Sequence, residues 1–206
     1  MDTLSKLFGG TAKVKLLKLF VFNPGAIYDI SDLARRTKEN PRSVRRELPA
    51  LRRVGLIKRK SFYKTVLVKR RRRRLSKKVR TPGWIFNDHF KPRVPLQTFL
   101  ITMSHLEPKE IARKLQRGGA VKLIIIAGTF IQDPESRVDL LVVGDHIRRG
   151  VIESAIKSIE AEMGRELRYT IFDTSEFRYR LAMYDKLVRD ILDYPHEKIL
   201  NKIGIL

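Results

Sequence analysis

The sequence predicts an α+β chain in two parts, and three observations predict it. Charge is partitioned: residues 1–95 hold 27 Lys and Arg against 6 Asp and Glu, whereas residues 96–206 hold 17 against 16. Apolar residues of the first part recur at helical spacing and then give way to a basic stretch rich in β-branched and aromatic residues. In the second part they fall in short continuous runs that alternate with helical segments, the pattern of a small α/β domain with a mixed sheet.

In the first part Val14, Leu17, Phe20 and Val21 give residues 12–22 an apolar helical stripe that stops at Asn23-Pro24-Gly25. Ser31 is the expected N-cap of a short helix over 32–36. A third helix starts at Asn40, a good N-cap followed by Pro41 at the first helical position. Its apolar stripe is Val44, Leu48 and Leu51, which leaves Arg42, Ser43, Arg45 and Arg46 facing outward. Pro49 lies inside this helix, where an interior proline costs about 3 kcal/mol, so a kink or an early stop near Leu48 is expected. Val54-Gly55-Leu56-Ile57 closes the helix and starts a strand. Residues 58–69 alternate basic and apolar positions, a run of arginines follows at 70–74, and Trp84-Ile85-Phe86 supplies a second strand.

Three helices followed by a hairpin, with Glu47-Leu48 and Leu51 leading into Val54-Gly55-Leu56-Ile57, resemble the winged helix-turn-helix of ArsR-type transcription regulators over about residues 7–87. The resemblance implies a DNA-binding domain over residues 1–95. An arginine-faced helix fits the major groove. Its expected base-reading residues are Asn40, Arg42, Ser43, Arg45 and Arg46. The expected phosphate-binding residues of the wing are Lys69, Arg70, Arg71, Arg72, Arg73, Arg74, Lys77, Lys78 and Arg80. Five adjacent guanidiniums repel one another, so the wing tip is expected to order only against phosphates.

Residues 96–118 read as a helical linker, with helices over 96–105 and 108–117. Beyond it, strands are expected over 121–127, 138–144 and 166–173, with helices over 148–163 and 175–192. The connection between the first two strands runs Ala127-Gly128-Thr129, continues through Ser136-Arg137-Val138-Asp139, and enters Leu140-Leu141-Val142-Val143-Gly144. It resembles the minimal nucleotidyltransferase domain of the polymerase-beta-like superfamily, placing that domain over 119–206. In that family a Gly-Ser pair opens a triphosphate-holding turn, and an Asp-x-Asp on the next strand binds magnesium. Alternate strand residues share a face, which lets two such carboxylates converge on one metal.

Here Gly128-Thr129 stands for Gly-Ser, Asp139 for the second carboxylate, and Arg137 for the first. A guanidinium in place of a carboxylate removes an oxygen ligand and changes the local charge by two units, so the resemblance implies a vestigial nucleotide site with no catalytic residue. Asp139 is expected to take a structural role, such as pairing with Arg137.

No metal site is expected elsewhere: the four histidines are scattered, and there is no Cys. No cofactor is expected. No signal-type or membrane-length apolar run is present, the longest being residues 123–127, which fits a cytoplasmic protein without membrane partners. The expected function is a DNA-binding transcriptional regulator that partners double-stranded DNA, acts as a homodimer, and uses its second domain as scaffold, dimerisation surface or sensor. An active nucleotidyltransferase acting on a protein or RNA, and an RNA-binding protein, are the rival readings.

Overall fold

The computed structural model describes residues 3–70, 73–103, 106–133 and 135–205, with side chains described except at 67–70 and 73–75. Its contacts divide into two compact units, Met1–His105 with Ala161–Arg165, and Leu106–Glu160 with Glu166–Leu206. The class is α+β, with one two-stranded sheet and one mixed four-stranded sheet among the described residues.

The first unit runs α1 (Thr3–Phe8), α2 (Thr11–Phe22), α3 (Ile30–Thr37), α4 (Pro41–Arg53), β1 (Ile57–Arg70), β2 (Arg73–Phe86) and α5 (Arg93–Met103). α2 is buried beyond the stripe read from its spacing: Leu16 and Leu19 join Val14, Leu17, Phe20 and Val21 in the core, because α1, α3, α4 and α5 all pack on it. A helix with others packed around it keeps little polar solvent face, here Thr11, Lys13 and Lys15.

α3 begins two residues earlier than expected, and its N-cap is Asp29 rather than Ser31. The Asp29 carboxylate accepts from the Asp32 N–H at 2.8 Å, while the Ser31 hydroxyl donates to Asp29 at 2.6 Å. Asp29 wins because its other oxygen also accepts from Lys64 Nζ of β1 at 2.7 Å, and Lys64 donates to Asp32 as well, at 2.9 Å. α4 starts on Asn40, whose side chain accepts from the Arg42 N–H at 2.8 Å.

α4 runs through Pro49 to Arg53, against the expected kink or stop near Leu48. The carbonyl deprived of a donor is that of Arg45, an exposed residue where water can serve it, while buried Leu48 and Leu51 hold the helix down on either side. Its end is a glycine cap: Gly55 at φ 77° donates to Arg52 O, and Leu56 donates to Leu51 O at 3.0 Å.

β1 and β2 pair antiparallel from Ile57 opposite Phe86, and Tyr28 adds a bridge to Trp84 through two backbone hydrogen bonds of 2.8 and 2.9 Å. The strands run to Arg70 and resume at Arg73, so most of the arginine run belongs to strand rather than to a loop.

The expected linker 96–118 is divided between the units. α5 packs on α2 in the first, and α6 (Pro108–Gln116) packs on the sheet of the second. That unit continues with β3 (Ala120–Ala127), a 3-10 turn at Gly128–Phe130, β4 (Leu140–Asp145), α7 (Arg149–Met163), β5 (Tyr169–Asp173), α8 (Thr174–Ala182), α9 (Lys186–Leu192) and β6 (His196–Asn201). Sheet order is β5-β4-β3-β6, with β4 and β5 parallel and the other pairs antiparallel. Leu123, Ile125, Leu141 and Val143 pack with Phe177 of α8 and with Val188 and Ile191 of α9. The alternate residues Ile124, Ile126, Leu140 and Val142 are also buried, which explains why the central strands read as unbroken apolar runs.

Two expectations are corrected in this unit. The single helix over 175–192 is two helices, because Tyr184 turns left-handed at φ 53° and Asp185 caps α9 by accepting from the Leu187 and Val188 N–H groups at 3.0 and 3.2 Å. β6, absent from the sequence reading, closes the sheet on the free edge of β3.

Candidate functional site

Beyond Pro41 at its start, the exposed positions of α4 are Arg42, Arg45, Arg46, Pro49, Arg52 and Arg53, one stripe at helical spacing opposite the buried Val44, Leu48 and Leu51. Of the residues expected to read bases, Arg42 and Arg45 lie on this stripe. Arg46 does too, with its Nε donating to Glu47 at 3.2 Å from a side chain 77% exposed, a pair that water screens heavily. Ser43 is half-buried beside the stripe, and Asn40 sits at the helix start with its oxygen engaged in the cap. Arg52 and Arg53 extend the stripe by two turns. Their spacing from Arg45 and Arg46, seven residues, was a signal available in the sequence.

Strand alternation divides the expected wing cations. Register places Lys78 opposite Thr65 and Arg80 opposite Tyr63, on the face shared by Arg59, Trp84, Ile57 and Phe86. Lys77, opposite Val66, belongs to the other face, with Lys64. Lys78, Arg80 and Lys77 are all exposed. Arg71 and Arg72 lie outside the described residues, and so do the side chains of Lys69, Arg70, Arg73 and Arg74, together with the expectation that this tip orders only against phosphate.

Where α4 meets the base of the hairpin, a groove of about 630 Å³ opens. Ile30, Leu48, Pro49 and Pro82 supply apolar lining, and Arg45, Arg52, Arg53 and Arg59 surround it. Trp84 forms part of the wall, and the Arg59 guanidinium lies 5.1 Å from its ring centroid. Among the described residues no carboxylate lines the groove. Nearby acids are engaged elsewhere: Asp29 and Asp32 with Lys64, Glu39 with Lys15, Glu47 with Lys13 and Arg46, Asp88 with Lys58.

In the second unit the residues of the Gly128-Thr129/Asp139 motif do come together. Asp139 is 1% exposed. Its Oδ1 accepts from Thr129 N at 2.8 Å, Thr129 Oγ1 at 2.9 Å and Arg168 Nη2 at 3.3 Å. Its Oδ2 accepts from Arg168 N at 2.8 Å and Arg168 Nε at 3.1 Å. Burial by itself would raise the pKa of this carboxyl; Arg168 and the donors of Thr129 outweigh it and hold the pKa below the usual aspartate value. Gly128 is at φ 52°, and a Cβ there would run into Asp139 Oδ1.

Arg137 is not the partner of Asp139, contrary to expectation; it pairs with Asp190 at 3.5 Å, and Arg168 takes the expected role. β4 starts only at Leu140, so residues 137 and 139 are not held as strand neighbours. This arrangement does not fit the magnesium ions of the resembling family. A carboxylate has about four lone-pair sites, and five donors already converge on Asp139, so a metal would have to evict Thr129 or Arg168. Asp173 occupies the N-cap position of α8 without a side-chain capping bond.

Among the described residues no group of three His, Asp or Glu is placed to hold a metal ion, and no helix is long and apolar enough to cross a membrane. The chain matches no family model, and neither curated proteins nor solved structures provide a match.

Proposed function

We propose that the chain is a DNA-binding transcriptional regulator. In this reading its first unit acts as a winged helix: α4 enters the major groove, and the β1–β2 hairpin grips the flanking backbone. The observation that carries the reading is the exposed stripe of α4, where Arg42, Arg45, Arg52 and Arg53 face solvent while Asp29, Asp32, Glu39, Glu47 and Asp88 of the same unit are engaged with other cations or with Arg46. Arginine at the front of such a helix pairs bidentately with guanine, and arginines further along meet phosphates. The second unit serves as a non-catalytic scaffold, its one motif carboxylate committed to Thr129 and Arg168. Regulators of this architecture read two half-sites as homodimers, and the same is proposed here.

Selection of bound duplexes from a random library tests the reading. An enriched motif is expected, and Arg42→Gln with Arg46→Gln should erase its preference while leaving salt-sensitive binding to any duplex. Recovery of unselected sequence by the intact protein would refute specific regulation. Incubation with labelled nucleoside triphosphate and magnesium should leave no label on protein or RNA; transfer abolished by Asp139→Asn would refute the scaffold role.

A further inference from the structure

The groove between α4 and the hairpin base has properties that grip on a duplex backbone does not require. Phosphates need cations, and a convex helix face supplies them. A concavity of about 630 Å³ with an apolar lining and an indole in its wall is instead in the size range of clefts that enclose a small ligand. The ligand class follows from the lining: something flat and apolar enough to lie on Ile30, Pro49 and Trp84, and anionic enough to need Arg45, Arg52, Arg53 and Arg59. The Trp84 ring already takes a planar partner, the guanidinium of Arg59.

The groove also continues into a track. By register, Trp84 and Arg59 share their face of the hairpin with Tyr63 and Arg80 and then with Lys78. Tyr63 is 73% exposed, an aromatic ring with no core to fill. Its phenol lies four strand residues beyond Arg59, roughly 13 Å at the usual rise per residue, a span of about two extended nucleotides. Stacking rings set among cations along one groove are the means by which proteins hold unpaired strands, because every base has a π-face while only an unpaired one exposes it.

We propose that this groove receives an unpaired nucleotide of a DNA strand, its base stacking on Trp84 and its flanking phosphates meeting Arg45, Arg52, Arg53 and Arg59, with the strand continuing over Tyr63. The inference rests on the reading that the first unit binds DNA, and adds that it engages locally opened DNA as well as duplex.

Trp84 is the one tryptophan of the chain, so its emission reports the groove directly. The intact protein is titrated with a mixed-sequence oligodeoxynucleotide, with the same strand annealed to its complement, and with deoxyadenosine monophosphate. The single strand should quench Trp84 strongly and the duplex should bind with little quenching. Tyr63→Ala, which removes no core contact, should weaken single-strand binding about tenfold and leave duplex binding unchanged. Equal quenching by duplex, or single-strand binding without quenching, overturns the groove assignment while duplex binding keeps the DNA reading. Saturation by the free nucleotide at the concentration that suffices for the strand overturns the strand as occupant. Binding of none of the three overturns both readings.

Discussion

Two carboxylates, one in each unit, carry more of the local architecture than their single charges suggest. Asp139 joins the turn after β3 to the start of β5 through five accepted hydrogen bonds, and its partner Arg168 is 54% exposed. Asp139→Asn keeps the shape but turns one acceptor into a donor facing donors; with the discount for Arg168's exposure, a loss of about 2–3 kcal/mol is expected in the unfolding of the second unit. Gly128→Ala should cost about 2 kcal/mol or more at the same place, since it adds both a clash with Asp139 and a strained φ of 52°. Asp29 is the counterpart in the first unit. Burial would raise its pKa, but the Lys64 ammonium, the Ser31 hydroxyl and the Asp32 N–H bring it down to about 2. A depressed folded pKa gives stability that is present above the unfolded value, near 3.9, and is lost as pH falls through the folded one. Thermal melts of the intact chain should therefore steepen in their decline between about pH 4 and about pH 2, and Asp29→Asn should flatten that limb for the first unit. An unchanged limb would show that Lys64 does not hold Asp29 in solution.

At the level of elements, α4 is the informative case. Its proline is tolerated because the lost hydrogen bond falls on the solvent side, so the helix carries an internal cost that packing of Leu48 and Leu51 offsets. Pro49→Ala should restore the bond and raise the stability of the first unit by about 1 kcal/mol or more, read as a shift in its melting temperature of about 4 °C or more. No gain would mean that the helix is already relaxed around the ring. The α4 start was legible in the sequence because Asn40 and Pro41 act locally, and the β3 and β4 cores were legible because burial on both faces leaves continuous apolar runs. What escaped depended on distant partners. Asp29 displaced Ser31 as cap through Lys64, 35 residues away, and Asp139 chose Arg168, 29 residues away, over Arg137. β6 escaped because His196-Glu197-Lys198 lies on an edge, half-exposed and without alternation, and is a strand only because β3 offers it hydrogen bonds.

For the whole molecule the decisive property is where charge is left unopposed, not how much there is. The net +22 is almost wholly in residues 1–95, and the carboxylates described there are paired with Lys13, Lys15, Lys58, Lys64, Arg35 or Arg46. The guanidiniums around the groove and the hairpin cations Lys78 and Arg80 face no such partner among the described residues, so a polyanion would be drawn to that side. Binding to duplex DNA releases counterions in proportion to the phosphates contacted, and each contact contributes about 0.9 to the slope of log K against log salt. Lys78→Gln with Arg80→Gln should therefore reduce that slope by about 1.8. Lys157→Gln with Lys186→Gln removes the same two charges from exposed positions in α7 and α9, and should leave the slope where it was. The pair of double variants separates two accounts of one basic protein. If net charge alone drew it to DNA, both would change the slope alike; if the hairpin face grips phosphate, only the first will.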